Sequence, residues 1–158
     1  MTLSPESLKK IDREVAKYPP GQKQSAVMAA LRFAQDEKGW LSPETMDFVA
    51  NYLEMEPIAV YEVATFYNMY DLKPVGKYKI TLCTNLPCAL SGANDVAKYL
   101  KEKLGIGFDE TTPDGRITLR QGECFGSCGY APVVILNNRK MCGSLSFAEV
   151  DRILSELE

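Results

Sequence analysis

The chain contains no histidine. That removes Ser-His and Cys-His nucleophile pairs, every zinc site built on imidazole, and the Rieske arrangement in which two histidines ligate one iron. Any chemistry must run on cysteine, carboxylate, lysine, tyrosine or a bound group. No apolar run approaches the ~20 residues that a membrane-spanning helix needs, so no direct membrane insertion is expected. There is no basic excess either. The net charge of −3 offers nothing to nucleic acid or to an anionic lipid surface. The stretch Met1-Thr2-Leu3-Ser4-Pro5-Glu6 lacks the basic-then-apolar order of a signal peptide, so a cytoplasmic location is expected, where thiols stay reduced. Gly105-Ile106-Gly107 lacks the third glycine of a dinucleotide-binding turn and follows a helical pattern rather than a strand, and no P-loop occurs. The C-x-x-C pair of a thiol–disulfide oxidoreductase is also missing.

What the chain does have is cysteine in pairs. Five cysteines in 158 residues is an odd count, which argues against a simple disulfide framework. Four of them fall in two short stretches, Cys83-Thr84-Asn85-Leu86-Pro87-Cys88 and Cys124-Phe125-Gly126-Ser127-Cys128-Gly129. Four thiolates delivered from two loops suit a tetrahedral cage around metal. Four intervening residues suit a ferredoxin-type loop, yet structural zinc also takes paired cysteines at such spacings. The spacing favours the cluster only mildly and leaves both open. Cys142 lies apart and is expected to be a small buried apolar residue.

Residues 1–74 read as a small helical bundle. Ser4-Pro5-Glu6 and Ser42-Pro43-Glu44 are matching start signals, a capping hydroxyl followed by proline at the first helical position. Helical spacing aligns Leu8, Ile11, Val15 and Tyr18, and Pro19-Pro20-Gly21 stops that helix. A second helix is expected from about Gln22 to Lys38, its inner stripe Val27, Ala30, Leu31 and Ala34, with Gly39 ending it. Met46, Val49, Ala50 and Leu53 line a third, and Pro57 opens a fourth towards Phe66. The run from Val60 to Tyr70 holds more aromatics and methionine than one helix face can bury, which points to a docking surface as readily as to core.

Residues 75–158 change pattern, with Lys73-Pro74-Val75-Gly76 as the boundary. The expected order is β-α-β-β-β-α. Tyr78, Ile80 and Leu82 mark a strand that feeds Cys83, and Ile117 and Leu119 mark another that leads to Cys124. Between them Ser91 is expected to cap a helix through Ala93, Val96, Ala97, Leu100 and Leu104. Pro132 to Leu136 is an apolar strand, Asn137-Asn138 its turn, and Ser146 with Glu149 a capping box for the last helix. If the two cysteine-bearing strands are neighbours, both loops meet at one end of the sheet. Gly126 and Gly129 then allow turned backbone whose N–H groups face sulfur, Pro87 stiffens the first loop, and Ser127 is an ordinary solvated hydroxyl.

The two cysteine stretches, extended to Leu90 and Pro132, resemble the thioredoxin-like [2Fe–2S] subunit of NADH–quinone oxidoreductase, respiratory complex I. So do Val60–Tyr70 and the Gly39-Trp40-Leu41 to Pro43 segment, and the resemblance covers nearly the whole chain. It implies an α/β fold with an N-terminal all-α part, a helical bundle followed by a thioredoxin-like ferredoxin domain. It implies one [2Fe–2S] cluster on Cys83, Cys88, Cys124 and Cys128, and one-electron transfer beside a partner subunit that carries FMN and oxidises NADH. Further iron–sulfur subunits would complete the peripheral arm, on the cytoplasmic side. Phe125 and Ser127 stand where the family pattern has Leu and Ala. NAD-reducing hydrogenases and NAD-dependent formate dehydrogenases carry similar subunits, and a structural zinc module is the remaining alternative.

Overall fold

The computed structural model describes residues 2–157. The chain divides into two compact units, one ending at Pro74 and the next beginning at Val75.

The first unit is four helices. In α1 (Pro5–Val15) the Ser4 hydroxyl accepts the Ser7 N–H at 3.2 Å, and in α3 (Pro43–Leu53) Ser42 accepts that of Thr45 at 3.3 Å. Each bond satisfies one of the donors that a helix start leaves free. Between them α2 (Val27–Lys38) follows a 3₁₀ turn at Lys23–Ala26, so it begins later than its periodicity suggests, and it ends at Gly39 in the left-handed region. α4 (Pro57–Phe66) completes the set. The expected stripes of α2 and α3 are buried, from Val27, Ala30, Leu31 and Ala34 to Met46, Val49, Ala50 and Leu53. Each fully buried Leu or Val here contributes on the order of 1.5–3 kcal/mol. Tyr18 departs from expectation. Ala16 already turns its N–H back to Asp12 and Glu14, the helix stops at Val15, and Tyr18 is exposed.

The aromatic run divides. Tyr70 is buried, and its hydroxyl donates to the Met28 carbonyl at 2.8 Å. A latch seats it there: the Gln35 side chain donates to the Met69 carbonyl at 3.0 Å and accepts the Asp71 N–H at 2.6 Å. The backbone leaves helical geometry at Tyr67, and Phe66 and Tyr67 there are exposed, as is Ile58 at the helix's other end.

The second unit is one mixed sheet with helices. Its strands are β1 (Tyr78–Cys83), β2 (Glu110–Thr111), β3 (Ile117–Gly122), β4 (Val134–Leu136) and β5 (Lys140–Cys142), in the order β2-β3-β1-β4-β5. β1 and β3 are parallel neighbours in register from Tyr78↔Ile117 to Cys83↔Gly122, and the other pairs are antiparallel. β2 is a strand that the sequence pattern did not reveal, being two residues long. Because β1 is central, Lys79 is buried with Ile80 instead of facing water as strict alternation would have it. Asn137 and Asn138 both take positive φ and turn β4 into β5. After the short helix α5 (Leu86–Leu90), helices α6 (Ala93–Leu104) and α7 (Phe147–Glu156) follow their expected faces, with Val96, Leu100, Val150 and Ile153 in the sheet's core. Ser146 accepts the Glu149 N–H at 3.2 Å, as a cap should. Ser91 does not cap α6. Gly92, in the left-handed region, holds that position, while the Ser91 hydroxyl donates back to the Pro87 carbonyl at 2.9 Å.

Candidate metal centre

Strand pairing decides where the cysteines meet. Cys83 is the last residue of β1 and lies opposite Gly122, the last of β3, so both chains leave the sheet at one level. The Cys83 N–H donates to the Val133 carbonyl at 3.0 Å, and the Thr84 N–H donates to the Gly122 carbonyl at 3.0 Å, which fixes the exit from β1 to both neighbours. The chain then makes a short helix, α5 (Leu86–Leu90), with Pro87 in its first turn. Cys88 therefore sits on a helical turn, not in the open loop that the spacing suggested. Cys124 follows β3 by two residues, and Cys128 opens a 3₁₀ turn at Cys128–Tyr130.

All four cysteines line one small pocket, with Pro87, Phe125 and Val133 among its walls. None is in a disulfide. Cys83 and Cys88 are buried, whereas Cys124 and Cys128 face the outside. Cys142 lies elsewhere, buried in the sheet's core against β4. Gly126 has φ of 69°, which turns the loop so that its N–H points at the Cys124 sulfur, 3.4 Å away. Gly129 has no such need, since its φ is not positive and a Cβ there would meet open space. Ser127 is half-buried on the pocket wall. The Cys83 thiol donates to the Glu123 carbonyl at 3.4 Å.

The setting of Cys88 favours its protonated thiol. Burial raises the Cys88 pKa, and the adjacent Cys83 and Cys128 sulfurs raise it further. Neighbouring buried thiolates repel, and a coordinated metal reverses that balance by removing their protons outright. The donor set is sulfur alone, which suits iron–sulfur or zinc over harder ions. The chemistry of the donors by itself leaves those two open. A larger open groove, between Lys98 and Lys101 of α6 and Gln121 of β3, contains no thiol.

Sequence reasoning missed two members of the site. Gly122 carried no motif, yet its carbonyl secures Thr84 and its bare Cα receives the Phe125 ring. Val133 looked like one more residue of an apolar strand, yet its carbonyl holds Cys83 in place. No single-residue signal marks either, because both act through backbone.

Comparison with known proteins bears on the same residues. The thioredoxin-like [2Fe-2S] ferredoxin family matches residues 11–158. A subunit of the NADH-quinone oxidoreductase of Rickettsia felis is 46% identical over 138 residues, which cover 87% of this chain and 83% of that one. A subunit of the NADH-quinone oxidoreductase of Thermus thermophilus is 39% identical over 147 residues, 93% of this chain and 81% of that one. Among solved structures, an NAD+-reducing [NiFe]-hydrogenase in the air-oxidized state shares the fold, with a TM-score of 0.68 at 19% identity, over 80% of this chain and 22% of that one. Two cysteine pairs at the ends of adjacent parallel strands thus coincide with a sequence match that spans both units: the chain belongs to the thioredoxin-like [2Fe-2S] ferredoxin family.

Proposed function

We propose that this protein is the [2Fe–2S] electron-transfer subunit of an NADH-quinone oxidoreductase, its cluster held by Cys83, Cys88, Cys124 and Cys128. The observation that carries the reading is the convergence of these four free thiols on one pocket at the end of β1 and β3. The names of relatives at 39% and 46% identity support this complex over a hydrogenase or formate dehydrogenase, since the hydrogenase likeness is one of fold.

A [2Fe–2S] cluster supplies one-electron redox chemistry and gains a negative charge on reduction. The chain's own residues then have three tasks. The paired backbone bonds at Cys83 and Thr84 hold the Cys83 sulfur at the end of the sheet. The Gly126 N–H aimed at the Cys124 sulfur stabilises negative charge there without adding a charged side chain. Burial of Cys83 and Cys88 excludes water from the inner half, while Cys124 and Cys128 reach the surface where a partner can exchange the electron. In this reading the hydride chemistry of NADH falls to FMN on a partner subunit, and this chain contributes the one-electron step. The exposed Phe66 and Tyr67 of the helical unit offer that flavin-bearing subunit an apolar docking face, and other iron–sulfur subunits would follow it. The place proposed for the chain is the peripheral arm, on the cytoplasmic side. Among the described residues no helix is long and apolar enough to cross a membrane.

Anaerobic purification followed by metal and sulfide analysis tests the proposal. The expected result is about two iron and two acid-labile sulfide per chain, with an EPR signal that appears on dithionite reduction. Stoichiometric zinc without sulfide would refute it.

A further inference from the structure

The second cysteine loop carries an aromatic ring between its ligands, and β3 ends in a glycine that makes room for it. A Cβ built on Gly122 would lie 2.4 Å from Phe125 Cζ and 2.8 Å from Cε1, with Thr81 Cγ2 at 3.0 Å. The backbone at Gly122 does not have positive φ, so conformation does not demand glycine there. Space does. The ring fills the volume that any side chain on that residue would need. Its flank packs against the cluster of Cys83, Cys88 and Ala93. Gly122 is also the register partner of Cys83. One ring therefore touches the end of β3 and the buried cysteines of the first loop, while its backbone carries Cys124.

We propose that Phe125 is a positioning residue, seated on Gly122, that sets the Cys124 sulfur against Cys83 and Cys88 and keeps water from the inner half of the centre. The inference rests on the [2Fe–2S] reading and extends it to two residues outside the ligand set. Removing the ring frees the loop between the thiols and admits water to their sulfurs. Hydration favours the more negatively charged reduced state, so the midpoint potential rises.

The test is a double-mutant cycle on the holoprotein, built from Phe125→Ala, Gly122→Ala and both together. Iron and sulfide content, the EPR g-values, the midpoint potential and the rate of iron loss to a chelator are measured, with circular dichroism as the check on folding. Phe125→Ala is expected to release iron at least roughly tenfold faster, the usual scale for supporting contacts around a metal, and to move the potential positive with altered g-values. Gly122→Ala in the parent background is expected to do the same, because its new methyl displaces the ring. In the Phe125→Ala background it should add less than about twofold, since the two closest contacts are then gone and only Thr81 Cγ2, at 3.0 Å, must give. Parent-like potential, g-values and iron loss in Phe125→Ala would overturn the proposal, and so would full multiplication of the two single effects. Should Phe125→Ala fail to fold, Phe125→Val decides, with the same shift expected at smaller size and parent-like values as the refutation. Failure of the underlying reading looks different: the parent protein itself would then lack iron and sulfide.

Discussion

Replacing Phe66 by alanine separates docking from folding, because its ring is nearly free in the chain. Phe66 is 79% exposed, against 3% for Tyr70 in the same run. A phenylalanine offers on the order of 200 Å² of surface, so the covered fifth is ~40 Å², or ~1 kcal/mol. The edge-on contact with Tyr67, centroids 4.9 Å apart, adds at most ~1 kcal/mol. Phe66→Ala should therefore lower the stability of the isolated chain by no more than ~2 kcal/mol. Tyr70→Ala, which empties a core position and removes the hydroxyl's bond to the Met28 carbonyl, should cost about 3–5 kcal/mol. In complex with the proposed flavin-bearing partner the order should invert. Covering the remaining ~160 Å² of Phe66 has a ceiling of ~4 kcal/mol, and after ordering costs a loss above ~2 kcal/mol remains, or more than ~30-fold in Kd. Urea unfolding of the isolated variants and titration against the flavin-bearing subunit measure both sides. Unchanged affinity for Phe66→Ala, or a loss of stability as large as that of Tyr70→Ala, would refute the assignment of this ring to an interface.

The cysteines give a sharper contrast. Cys83→Ala and Cys128→Ala should lose most of their iron and sulfide, whereas Cys142→Ala should keep full content and show only a modest loss of stability from its place in the sheet's core; equal losses in all three would count against the ligand set. The pH profile of the helical unit should reflect Glu37, whose pKa is lowered from 4.5 to about 2 by bonds from Lys38, Ser7 and Ser4. A depressed carboxylate stabilises the fold above its unfolded pKa, so its contribution is complete above about pH 4.5, fades as pH falls towards 2, and should vanish from the acid limb in Glu37→Gln when unfolding is followed by circular dichroism.

Much of the architecture was legible because it is local. The Ser-Pro signals at Ser4 and Ser42, the left-handed Gly39 and the Asn137-Asn138 turn each act within a few residues, and the structure has them where the pattern placed them. The apolar stripes of α2 and α3 were equally plain. Errors arose where one local device displaced another. Ser91 looked like a cap, but α5 ends there and takes its hydroxyl for the preceding turn. Tyr18 fitted the period of α1, but the period continued past the point where the backbone had already turned. At the site, the convergence of the two loops could be stated only conditionally, since it depends on β1 and β3 being neighbours. The seat of Phe125 on Gly122 was invisible for a further reason. Three residues apart in sequence, they meet only because the loop folds back onto the strand that delivered it.

The parallel pairing of β1 with β3 also dictates a history. Each cysteine pair is a half-site made from neighbours in the chain, but the halves join only after a crossover through α5 and α6 brings residues 78–83 beside 117–122. Such a closure is entropically costly and slow compared with helix formation. A nascent chain that has exposed Cys83 and Cys88 still lacks half of its proposed ligands, and remains so until β3 has emerged and docked. On the proposed ligand set, the complete site exists only once β1 and β3 have paired. A group that binds only this folded arrangement would hold the crossover closed by mass action, adding its binding free energy to the pairing of β1 with β3.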